Sequence, residues 1–151
     1  VAAQEDGTGI GRIRLGRLPY LSRYHLHGFI AQAIEPGSAV RTDGLHAYLR
    51  LSGYVHERRV QRRQPEGEYL LPRAHRVISL LKRWLLGTHQ GAVGRDYLDA
   101  YLDEFTFRFN RRTSASRGKL FYCLAQQAVQ IDPAPFATLV KTQHIGVSGV
   151  K

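Results

Sequence analysis

Asp43 closes a short run, Ser38-Ala39-Val40-Arg41-Thr42, and is followed by Gly44. This is the carboxyl end of an expected strand, where open α/β sheets present ligand-binding and catalytic groups. A carboxylate at that point can hold a hard cation through oxygen. The competing reading is a turn aspartate that bonds its own loop as an Asx turn. His75 and Lys82 stand seven residues apart, so both project from one face of an expected helix over 73–86. Arg76 and Arg83 repeat that spacing on the neighbouring face. An imidazole able to ligate a metal, with a cation two turns on, suits a phosphodiester held over a metal ion. A solvated basic helix face accounts for the same residues.

The charge balance points to a polyanionic partner. The 151 residues carry a formal net charge of +10, and arginine supplies 18 of the 22 basic side chains. Arginine pairs bidentately with phosphate and sheds its water more readily than lysine, so the bias suggests nucleic acid. Codon usage in a GC-rich genome would give the same bias. Arg58, Arg59, Arg62 and Arg63 form one basic cluster, and residues 108–119 hold Arg108, Arg111, Arg112, Arg117 and Lys119 with no acid. Such blocks bind phosphate when they share a face. Phe105, Phe107 and Phe109, set among them, read as core. A single cysteine, Cys123, excludes an internal disulfide framework and a cysteine-rich zinc site. No run approaches the length of a membrane span, and the first residues lack a signal-peptide pattern. Cytoplasm is the expected compartment. The chain contains no methionine, position 1 included, which reads as a fragment or an alternative start.

The elements that must position these residues follow from periodicity. Residues 1–3 read as the stump of a strand, 6–9 as a turn, and 10–15 alternate as a half-buried strand. Ser22 is the expected N-cap of a helix bearing Leu26, Phe29, Ile30 and Ile34, stopped by Pro36-Gly37. A strand over 38–42, a short helix over 45–51 and a strand over 54–61 come next. The loop at 64–68 leads to the helix over 73–86, with Val77, Ile78, Leu81, Trp84 and Leu85 inward. A second long helix spans 95–111, a polar linker 114–118 and a third helix 120–130, before a loose tail. Strands alternating with helices, then helices alone, define an α/β sheet with a helical C-terminal half.

Three strings carry a family resemblance: Thr42-Asp43-Gly44-Leu45-His46-Ala47-Tyr48, Ser79-Leu80-Leu81-Lys82-Arg83, and the run from Tyr101 through Phe105-Thr106-Phe107-Arg108-Phe109-Asn110 to Arg111-Arg112. They resemble the DDE domain of bacterial insertion-sequence transposases of the ISXO type, over residues 1 to about 140, with 141–151 as tail. The resemblance implies an RNase H-like mixed sheet with flanking helices. It also implies acidic residues that hold two divalent ions, Mg2+ or Mn2+, to cut and rejoin DNA. Asp43 matches the second acidic position, and His75 falls where the third would be an acid. A neutral imidazole adds no charge to such a site. The family's first acidic residue lies on a central strand upstream of the point matched by Val1.

The chain is therefore expected to be a transposase catalytic domain without that strand, its two neighbouring strands left with unpaired edges. Asp43 and His75 are the candidate catalytic and metal-ligating residues. Lys82, Arg83, Arg108, Arg111 and Arg112 are the candidate DNA contacts. Transposon ends and target DNA are the expected partners, with a homo-oligomer as a further candidate and no membrane. The alternative is a non-catalytic basic nucleic-acid-binding remnant.

Overall fold

A computed structural model describes residues 1–60, 70–91, 93–133 and 135. The chain divides into two compact units, Val1–Gly91 and Ala92–Lys151. The first unit is mixed α/β. Strands β1 (Ala2–Asp6) and β2 (Gly9–Arg14) form an antiparallel hairpin, turned at Gly7, whose φ of +52° suits glycine. Alternation buries Ile13 and leaves Arg12 and Arg14 exposed, as a half-buried strand requires.

Helix α1 (Arg23–Ala33) starts at Ser22, whose hydroxyl accepts from the His25 backbone N–H. At the far end the Tyr54 hydroxyl donates to the Ile34 carbonyl at 3.0 Å, satisfying a group that the helix end leaves without an intrahelical partner. Strands β3 (Ala39–Thr42) and β4 (Val55–Arg58) are parallel, in the register Ala39–Val55 to Thr42–Arg58. Gly37 and Gly53, at φ of +84° and +81°, are joined by a 2.7 Å backbone hydrogen bond where that pair begins. Ile30, Val40 and Leu51 form a buried cluster against which Ile34, Tyr48 and Tyr54 pack.

The crossover between β3 and β4 departs from expectation. The helix expected over 45–51 shrinks to a 3-10 turn, His46–Tyr48, flanked by extended Leu45 and Leu49. Arg50 then adopts φ of +59°, which no right-handed helix continues through. Leu51 still joins the buried cluster and Tyr48 packs against it, so the broken helix keeps both apolar contacts. Strand β4 is also more exposed than its alternation suggested, since only His56 is half-buried and Val55 is 60% exposed.

Helix α2 (Pro72–His89) opens with proline at its first turn, where the missing N–H costs nothing, and ends at Gln90 in the left-handed region. Val77 is fully buried, Ile78, Leu81, Trp84 and Leu85 are half-buried, and His75, Arg76, Lys82 and Arg83 are exposed. The two strand pairs form separate two-stranded sheets. Ion pairs link them: Glu57 to Arg41 at 2.7 Å, Arg41 to Glu5 at 2.6 Å, and Glu5 to Arg73 of α2 at 2.6 Å. Arg73 also donates to the Gly9 carbonyl at 2.9 Å, which ties the start of α2 to the hairpin.

The second unit is helical. A 3-10 turn, Arg95–Tyr97, precedes α3 (Leu98–Asn110), where a single helix from 95 was expected. Leu102, Phe105 and Phe109 are buried along α3. Helix α4 (Arg117–Ala128) begins after Ser116 and so takes in Arg117 and Gly118, expected as linker. Phe121 and Leu124 remain exposed on it. The expected loop at 64–68 and the tail from 143 lie outside the described residues.

Candidate functional site at the carboxyl ends of the parallel strands

Asp43 leaves the end of β3 and its side chain turns back on the loop. Its Oδ1 accepts from the Leu45 backbone N–H at 3.1 Å, the geometry of an Asx turn. The residue is exposed, so the carboxylate faces solvent while one oxygen organises the turn. Beside it Thr42 is buried, its hydroxyl paired with His56 Nε2 at 2.7 Å and donating to the Asp43 carbonyl. The 3-10 turn brings Tyr48 back toward Asp43. Burial first, and then the Asp43 charge, push the Tyr48 phenol above its usual pKa. From β4 the Arg58 guanidinium donates to the Gly44 carbonyl at 2.9 Å, and the Arg59 N–H donates to the Thr42 carbonyl at 2.9 Å.

The neighbourhood of Asp43 thus joins one carboxylate, a phenol, a hydroxyl–imidazole pair and two arginines. The sequence singled out Asp43, Arg58 and Arg59 but gave Tyr48 no role. The available signal was its position five residues on, which a tight turn folds back.

A cavity of about 970 Å³ opens beside this site. Residues 1–5 line it from one side, 38–43 from the other, and Ile13, Leu26 and Ile30 are among its apolar walls. Among the described residues both strands that bound it, β1 and β3, have a hydrogen-bonded neighbour on one side only. Residues 70–74, at the start of α2, also line it. The start of α2 and Asp43 therefore share one cavity, and His75 is the next residue along the helix. His75 itself is exposed.

The arginines of the second unit are held by their own aromatics. The Arg111 guanidinium lies 3.8 Å over the Phe107 ring and that of Arg112 lies 4.0 Å over Phe109. Arg112 also donates to the Phe109 carbonyl at 2.9 Å, and Arg108 pairs with Glu104 at 2.7 Å. Phe105 and Phe109 are core, as expected. Phe107 is half-buried and serves as the platform for Arg111. A stacked guanidinium keeps its N–H edge directed outward while losing little side-chain entropy on binding an anion.

Asp43 offers oxygen to Mg2+ or Mn2+, and His75 a nitrogen that adds no charge. Among the described residues, no three His, Cys, Asp or Glu side chains come together as a metal site. One carboxylate does not fit a two-metal centre, which needs several anionic oxygens to hold and neutralise its ions. Among those residues no helix is long and apolar enough to cross a membrane.

An α/β unit with an acidic residue at the carboxyl end of a parallel strand belongs to the broad class of α/β domains that place their sites at strand ends. Comparison with known families narrows this: the ISXO2-like transposase domain matches residues 1–110, and the chain belongs to that family. The family ties the chain to DNA transposition, with DNA as substrate and divalent metals in general use. No curated protein and no solved structure matches.

Proposed function

We propose that the chain is a DNA-engaging transposase catalytic domain of RNase H-like architecture, with Asp43 a carboxylate of its metal site. The observation that carries this reading is Asp43 at the end of β3, bordering a cavity between two half-sheets. His75, one residue beyond the lining of the same cavity, is the second donor for Mg2+ or Mn2+.

The chain's own residues hold the DNA. Lys82 and Arg83 present charge from α2, and Arg108, Arg111 and Arg112 from α3 and its end. Their contacts are to phosphate, so they position the duplex without reading its sequence. The test combines binding and cutting. A labelled transposon-end duplex is incubated with the chain and Mg2+ or Mn2+, and products are resolved on a denaturing gel. Salt-sensitive binding without strand transfer is expected, because Asp43 and His75 supply too little ligand charge for two metals. Cleavage lost on Asp43→Asn would show a further carboxylate at work, with Glu5 and Asp6 first to be examined. Absence of DNA binding at low salt would overturn the reading.

A further inference from the structure

The exit from β2 and the start of α1 form a surface that the transposition reading leaves unused. Tyr20, Leu21 and Tyr24 are 74%, 70% and 80% exposed there. The tyrosines are not loose. His25 is fixed at the first turn of α1 by a 2.8 Å contact between its Nδ1 and the Ser22 hydroxyl. Its ring meets Tyr24 edge-on at 5.4 Å between centroids and lies tilted to Tyr20 at 6.0 Å. One anchored imidazole thus organises two phenol rings, and most of each ring stays open to solvent. The chain leading to them is also held: a Cβ on Gly16 would sit 2.8 Å from the Phe29 ring, so the strand exit runs tight against α1.

The stretch of sequence that carries this triad has charge of one sign. Between Asp6 and Glu35 the sequence contains no acid, and it carries Arg12, Arg14, Arg17 and Arg23. All four arginines are exposed. Two of them lie within three residues of Tyr20, within about 10 Å along even an extended chain. A hydrophobic protein partner would bury the exposed Arg23 guanidinium against an apolar surface. A polyanion with flat apolar groups satisfies both features at once.

We propose that Tyr20 and Tyr24 form a stacking platform for unpaired bases of single-stranded DNA, with the neighbouring arginines tracking the backbone. Bases within a duplex offer their faces only to one another, whereas an unpaired base offers its face to an aromatic ring. The surface is therefore selective for unwound or single-stranded segments. This inference rests on the DNA-engaging reading and adds a second, chemically distinct contact to it.

The test measures anisotropy of fluorescein-labelled oligo(dT) and of a blunt duplex against the 151-residue chain over a salt series. Tyr20→Ala/Tyr24→Ala should weaken oligo(dT) binding by about ten-fold or more, since each stacked base contributes roughly five- to hundred-fold. Duplex binding should change by less than about two-fold, and the salt slope should stay the same because no phosphate contact is removed. Tyr20→Phe/Tyr24→Phe should keep the oligo(dT) affinity, which separates stacking from the phenol hydroxyls. Far-UV circular dichroism of both variants controls for folding. Equal oligo(dT) binding by the alanine variant and the parent overturns the platform, as does equal loss on both DNAs. So does loss of self-association in sedimentation, which would assign the rings to contact between copies. A parent chain that binds neither DNA at low salt defeats the DNA-engaging reading itself, a result distinct from these.

Discussion

The carboxylate of Asp43 is bound to the backbone of Leu45, Oδ1 accepting its N–H at 3.1 Å. One side chain therefore shapes the turn after β3 and leaves negative charge at the strand end. The two roles are separable, because asparagine retains the amide oxygen that the turn needs and loses the charge that a cation needs. Asp43→Asn is expected to leave the thermal midpoint nearly unchanged and to abolish Mn2+ binding measured by titration calorimetry. Asp43→Ala should lose both, at about 0.5–1.5 kcal/mol of stability for the missing hydrogen bond.

His75 offers a donor of a different kind. His75→Ala is expected to lower Mn2+ affinity while leaving the urea midpoint within about 0.5 kcal/mol, since the residue is exposed on α2. An unchanged metal titration would remove His75 from the site and leave it on a solvated basic face.

The ion pair between Glu57 and Arg41 is expected to give stability a small pH dependence. Hydrogen bonding from Arg41, followed by its charge, holds the Glu57 carboxyl below its ordinary 4.5. A lowered folded-state pKa favours the fold above the unfolded value, and that gain is lost as pH falls through the folded one. The expected window is below about pH 4.5, and the effect is small because the pair is exposed to solvent. Urea midpoints of the parent and Glu57→Gln should differ at pH 7 and converge toward pH 3. Parallel curves across that range would show that the pair contributes nothing.

Arg111 and Arg112 are stacked on Phe107 and Phe109, so their charge is presented with little freedom to lose. Arg111→Ala/Arg112→Ala should weaken duplex binding by a similar factor for transposon-end and unrelated sequences. The slope of log K against log salt should become shallower by about one to two. A loss confined to one sequence would mean base readout instead.

Tyr54 tests how far the end of α1 depends on a single hydroxyl. Tyr54→Phe leaves the packing against Ile30, Val40 and Leu51 intact and strands the Ile34 carbonyl. A cost of about 1 kcal/mol is expected from denaturant unfolding.

Sequence periodicity alone placed α1 with its Ser22 cap, the buried face of α2 and the alternation of β2. These are local properties: the spacing of apolar residues, a capping hydroxyl and a proline are written within a few positions of where they act. The strings around Asp43 and Phe105–Arg112 likewise carry the family resemblance. Tertiary structure alone decided the rest. A 3-10 turn at His46–Tyr48 stands where apolar spacing pointed to a helix, ended by extended Leu49 and left-handed Arg50. Tyr48 comes close enough to Asp43 through that turn to feel its charge. The split into two strand pairs is written in no periodicity; only the family resemblance led to unpaired strand edges being expected. Strand pairing joins residues far apart along the chain, and no local pattern states which edge will be left unpaired.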